Sequence, residues 1–106
     1  MAPAKRSMSR HLKHFQMPPK IAFSAAGERT QVALVCTDRP GLLAAAAQAM
    51  LEAEVRVHDA RIATFGERVE DFFEVTDRRN APLSAEQQDR LLHALLRRVG
   101  QARASA

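Results

Sequence analysis

The chain has no tryptophan, no tyrosine, a single cysteine and only four glycines in 106 residues. Each shortage excludes something. Modules that hold single-stranded RNA on a β-sheet stack bases on exposed strand aromatics. Here the aromatics beyond residue 19 are only Phe23, Phe65, Phe72 and Phe73, and no basic–Gly–aromatic strand motif occurs. Cys36 alone can close no disulfide within the chain; set in an apolar alternation, it reads as a small buried hydrophobe and suits a reducing compartment. Transition-metal sites need three or four convergent ligands. His58 and Asp59 are neighbours in a strand-like run and would face opposite ways, so no metal is expected. No stretch approaches the roughly 20 apolar residues of a membrane span, and the basic start is not followed by an apolar signal core. A cytoplasmic location is expected.

The formal charge of +4 resembles a nucleic-acid signature until it is divided along the chain. Lys5, Arg6, Arg10, Lys13 and Lys20 lie in the first twenty residues with no acid among them. The other eleven of the sixteen basic side chains face all twelve acids, leaving −1 for the remainder. A near-neutral body lacks the positive footprint that phosphate neutralisation requires.

What is present is periodicity. Residues 1–19 end in Met17-Pro18-Pro19 and read as a basic, largely disordered linker with room for one helical turn around Arg10 to Phe15. Residues 20–99 read as one domain, 100–106 as a polar tail. Lys20 to Ser24 and Thr30 to Cys36 alternate with period two around a turn containing Gly27, predicting two neighbouring strands. Val32, Leu34 and Cys36 share one face of the second, yet Ala33 and Val35 are apolar on the other, so cover from a partner domain is expected there. From Gly41 to about Glu52, Leu42, Ala46 and Met50 run beside Leu43, Ala47 and Leu51 as a helical stripe predicted to pack onto the sheet. Val55–Thr64 and Arg68–Asp77 read as a hairpin about Phe65-Gly66-Glu67, with a bulge near His58-Asp59 where the apolar parity changes. Ser84 and Gln87 have capping-box spacing ahead of a last helix whose stripe is Leu91, Leu92, Leu95, Leu96 and Val99, and Gly100 is expected to end it. The order ββαββα predicts an α+β ferredoxin-like sandwich, a four-stranded antiparallel sheet with two helices on one face and its usual last strand moved to the front.

The one conspicuous turn is Thr37-Asp38-Arg39-Pro40-Gly41, directly ahead of the first helix. Thr37 or Asp38 can cap the helix, Pro40 suits its first turn, and Gly41 carries no side chain to block the backbone. The amides of Gly41, Leu42 and Leu43 are then among those without an intrahelical acceptor, at the positive end of the helix dipole, where a carboxylate is a natural guest. Asp38 is placed to accept from an ammonium or amide group. By itself this pattern also describes a capped turn with no ligand.

The run TDRPGLLAAAAQAM after an alternating strand resembles the first loop and helix of ACT domains, small ferredoxin-like modules that bind amino acids and regulate a larger protein. VHDARIATFGERVEDFFEVTD resembles the central hairpin of the C-terminal ACT domain of the bacterial uridylyltransferases that act on the nitrogen signal protein PII, and RHLKHFQMPPKIAF resembles the segment that joins the two ACT domains there. The resemblance spans about residues 9 to 98. It implies a glutamine-sensing regulatory role and pairing with another ACT domain, either a second copy or a sister domain. The ligand would lie between Asp38, Arg39, Pro40, Gly41, Leu42 and Leu43 of one domain and Val57, His58, Asp59 and Ala60 of the other. No cofactor is implied for this chain; magnesium would belong to the parent's upstream catalytic domains. No Gly-Ser followed by paired acids and no His-Asp metal cluster is present, so the chain itself is expected to be non-enzymatic, a detached sensor.

Other residues have structural readings. Glu67, Glu70, Asp71 and Glu74 face Arg61, Arg68, Arg78 and Arg79 and predict cross-strand ion pairs. Asp71 shares parity with Val69 and Phe73 and is expected to be partly buried and in need of a hydrogen-bond partner. Competing functions on this fold are a nucleic-acid-binding or protein-interaction module, or an acylphosphatase-like hydrolase, for which Asn80 lies in the wrong kind of segment.

Overall fold

The computed structural model describes residues 18–105. The helical turn expected around Arg10 to Phe15 lies outside them. The elements follow in the order β1 (Lys20–Ala26), β2 (Arg29–Thr37), α1 (Leu42–Glu52), β3 (Arg56–Phe65), β4 (Arg68–Thr76) and α2 (Ala85–Ser105). The strands form one antiparallel sheet in the order β1-β2-β4-β3, the expected ferredoxin-like plan. Both hairpins turn on two residues, Gly27-Glu28 and Gly66-Glu67. The glycine has positive φ in each (65° and 63°), which matches the right-handed twist of the flanking strands. The β3–β4 register slips between Val57 and Asp59, placing the bulge where the parity change puts it.

The core lies between one sheet face and the two helices. Val32, Leu34 and Cys36 of β2 and Val69, Phe73 and Val75 of β4 are buried against Leu42, Ala46, Ala49 and Met50 of α1 and Leu91, Ala94, Leu95 and Val99 of α2. Ile21 and Phe23 of β1 complete it at one edge. Two expectations need correction. Only half of the α1 stripe packs inward: Leu43 and Leu51 are 54% and 76% exposed. And α2 does not stop at Gly100 but continues to Ser105, because Ala102, Arg103 and Ala104 are strong helix formers and one glycine costs about 1 kcal/mol.

Polar contacts position the connections. The buried Thr30 hydroxyl accepts the Leu83 amide at 2.9 Å, tying the entry to α2 onto β2. Ser84 Oγ accepts the Gln87 amide at 3.2 Å as an N-cap. Asp77 Oδ1 accepts the amides of Ala81 and Arg79, at 2.9 and 2.8 Å, and these bonds hold its carboxyl below the usual range. Arg97 and Arg98 of α2 both meet Glu52 at the end of α1, with Arg98 Nε 2.8 Å from Glu52 Oε1. The expected cross-strand pairs of the β3–β4 hairpin do not form among the described residues: Arg68–Glu70 and Arg61–Asp59 are pairs along one strand, Arg78 meets Glu54, and Glu74 pairs instead with Arg29 of β2 at 3.1 Å.

Candidate functional site

Between β2 and α1 the chain turns through Asp38, Arg39, Pro40 and Gly41. The Asp38 amide donates to the Glu67 carbonyl at 2.7 Å, fastening the turn to the tip of the β3–β4 hairpin. Gly41 is the N-cap, with φ 78° and ψ 3°, a left-handed conformation that L side chains rarely adopt. A Cβ there would meet nothing within 4 Å, so glycine is required by backbone conformation and the space above it is open.

Neither Thr37 nor Asp38 caps the helix: α1 has no side-chain cap and no acid in its first turn. A left-handed N-cap carries the preceding chain away from the helix axis, whereas side-chain capping uses an extended N-cap residue. The Leu42 amide, expected to be open, donates to the Arg39 carbonyl at 3.3 Å, closing the turn. Ala45 donates to Gly41 O at 2.9 Å. The amides of Gly41, Leu43 and Ala44 meet no acceptor among the described residues, and all three residues are exposed. An open set of donors therefore exists, with Ala44 in place of the expected Leu42. It sits at the positive end of α1, whose first turn holds no acid.

The second half of the expected site lies elsewhere in the same chain. Val57, Asp59 and Ala60 pair with Val75, Glu74 and Phe73, whereas the turn adjoins Glu67 and Arg68 at the other end of β4. Six or more residues of strand separate them, about 20 Å. His58 Nε2 is 2.7 Å from Thr76 Oγ1, and that hydroxyl donates to the Asp77 carbonyl at 2.9 Å, so the Nε2–H of His58 is the donor. His58 thus secures the bulge. All four residues from Val57 to Ala60 are exposed.

On β3 the helix-side residues Val57 and Ile62 are 46% and 49% exposed, because among the described residues the helix layer buries the central strands and leaves this edge bare, next to the exposed Leu43 and Leu51 of α1. Phe65, 54% exposed, pairs with Arg68 and lies on the opposite face. The other sheet face is also open, with Ala33, Val35 and Phe72 half-buried beside Glu70 and Glu74. Asp71 is buried as its parity predicts, at 2% exposure, but the partner it should have is missing: its Oδ1 meets no donor. Burial, and then the charge of Asp38, raise its carboxyl above the ordinary range. Burial likewise raises the Cys36 thiol. Among the described residues no three His, Cys, Asp or Glu side chains gather as a metal site. Asn80 has φ 64° and accepts a hydrogen bond from Arg56 at 3.2 Å, a turn residue occupied with holding the turn.

Residues 30–93 match the family model for the ACT domain. The chain belongs to the ACT domain family. This ACT domain is 50% identical over 95 residues to the bifunctional uridylyltransferase/uridylyl-removing enzyme of Xanthomonas euvesicatoria pv. vesicatoria, covering 88% of the chain and 11% of the relative. It is 52% identical over 83 residues to the enzyme of the same name from Xanthomonas campestris pv. campestris (76% and 10%), and 48% identical over 82 residues to that of Stutzerimonas stutzeri (76% and 9%). It therefore spans about a tenth of the length of these relatives. No described helix is long and apolar enough to cross a membrane.

Proposed function

We propose that this ACT domain is a cytoplasmic regulatory module that binds an amino acid, glutamine in the first instance, and belongs to a protein of the uridylyltransferase/uridylyl-removing type. The observation that carries the reading is the uncapped, left-handed start of α1, whose exposed amides at Gly41, Leu43 and Ala44 fit a carboxylate. Similarity to enzymes that add and remove uridylyl groups supplies the context, since a sensor of nitrogen supply suits such an opposed pair of activities.

The complete site is formed by two domains. An antiparallel β3 edge paired with its own copy about a two-fold axis sets residues 57–60 of one domain beside residues 62–65 of the other. That end of β3 carries the hairpin tip to which the partner's turn is fastened. Leu43, Leu51, Val57 and Ile62 supply an apolar surface for the contact. A sister ACT domain can take the place of the copy. Ligand held between two domains biases how they dock only if it binds one arrangement more tightly, which is how the signal reaches an attached enzyme.

Calorimetric titration of the full chain with glutamine tests the reading. Saturable heat at millimolar or lower ligand is expected, and a folded dimer that gives none removes glutamine sensing.

A further inference from the structure

We propose that the outer edge of β1, with the flank of α2 above it, is an interaction surface that takes a second copy of this chain by strand addition. It lies across the sheet from the β3 edge and is independent of the amino-acid site.

β1 ends the sheet on the side away from β3, and among the described residues no strand pairs with its outer side. Ala26 and Arg29 flank the two-residue turn and bond to each other, so Ala26, Ser24, Ala22 and Lys20 direct their amides and carbonyls to β2. Ile21, Phe23 and Ala25 direct theirs outward. From Ile21 to Ala26 the strand carries no charge, proline or bulge, the devices that keep a sheet edge from pairing.

The surface above the edge is apolar as well. A groove of about 350 Å³ runs between Phe23 and Ala25 of β1 and Pro82, Leu83 and Gln88 at the start of α2. Leu92 and Leu96 continue the Gln88 side of α2, across the helix from Arg97 and Arg98, which hold α1 through Glu52. Leu96 is 42% exposed and is not among the residues that the β3 pairing covers.

One register fits a copy. Antiparallel pairing centred on Phe23 sets Ile21 against Ala25 of the copy, and each pair of outward residues then exchanges two hydrogen bonds. A slip of two residues one way brings Pro19, which has no N–H, into the ladder; a slip the other way brings in the turn at Gly27. On the helix side large meets small, because Ile21 of the copy comes beside Ala25 at the groove. Lys20 and Glu28 form no ion pair among the described residues, and this register makes them diagonal neighbours between copies. The contact is small, one short strand and one helix flank per copy, so it forms above the concentrations at which the β3 pairing is complete.

Sedimentation equilibrium of the full chain from about 0.01 to 1 mM tests the proposal. The mean mass is expected to rise past the dimer as concentration increases. Ala25→Pro removes only an outward N–H, and Leu96→Glu charges an exposed position, so both should stay folded and abolish that rise. In an oxidised mixture, Ala22→Cys and Ser24→Cys chains should cross-link to each other several-fold more than to themselves, since those positions face one another in this register. Masses that match the wild-type chain in both variants at every concentration overturn the inference, as does cross-linking without preference. Amides of Ile21, Phe23 and Ala25 that exchange slowly with solvent at every concentration would show that another part of the chain covers the edge, and overturn it too.

Discussion

Asp71 sets the pH behaviour expected of this domain. Its folded-state pKa is raised by burial and by the neighbouring Asp38, with Cys36 the other titratable group beside it. A carboxyl with a raised folded pKa binds more protons folded than unfolded, so its contribution is most favourable below the unfolded pKa and is lost as pH rises through the folded value. Asp77 and Glu52 behave oppositely: their lowered pKa values give stability above the unfolded pKa that is lost as pH falls. The difference between Asp71→Asn and wild type isolates the first effect. Thermal unfolding from pH 4 to 8 should show the variant's advantage growing with pH, and an advantage that stays constant would mean that Asp71 is not desolvated. Alternation alone predicts that Asp71 points inward, because strand parity is a local property. Whether a donor waits there depends on which side chains the neighbouring elements bring, and among the described residues none reaches Oδ1.

Among the elements, β2 and α1 show how local pattern and packing diverge. The period-two alternation of β2 survives because both its neighbours are strands and its Val32–Leu34–Cys36 face meets the helices directly. The wide α1 stripe does not survive whole. Helical spacing shows which residues share a side but not how far the sheet beneath extends, so Leu43 and Leu51 remain bare. The start of α2 depends on a bond no pattern in the sequence indicates, Thr30 Oγ1 to the Leu83 amide across a separation of 53 residues. Thr30→Val removes the acceptor and leaves a buried N–H unpaired, with an expected cost of about 1–3 kcal/mol. Denaturant unfolding checks this, and a midpoint within error of wild type would show that water or a shifted loop replaces the hydroxyl. The cap of α1 departs from the sequence pattern for a related reason: Thr37, Asp38 and Gly41 all suit a helix start, and only the left-handed backbone at Gly41 decides that no side chain caps the helix.

For the whole molecule, the turn at residues 38–43 and the strip at 57–60 occupy opposite ends of the β3–β4 ladder, so the proposed site needs two domains to bring them together. Ile62→Asp places a charge on the exposed edge without entering the core, since Ile62 is already 49% exposed. The wild-type chain is expected to sediment as a dimer; the variant should keep its secondary structure, sediment as a monomer, and lose glutamine binding together with pairing. A monomeric variant that still binds glutamine would locate the site within one domain.

The order of strands and helices, the two glycine hairpins, the bulge near His58 and the inward face of β2 follow from the sequence alone, because each depends on spacing or on one residue's backbone freedom. Tertiary structure decided which apolar side chains stay uncovered, which first-turn amides remain open, and that Asp71 Oδ1 has no donor among the described residues. These depend on where elements distant in sequence end relative to one another, and that geometry is set only when the helices settle on the sheet.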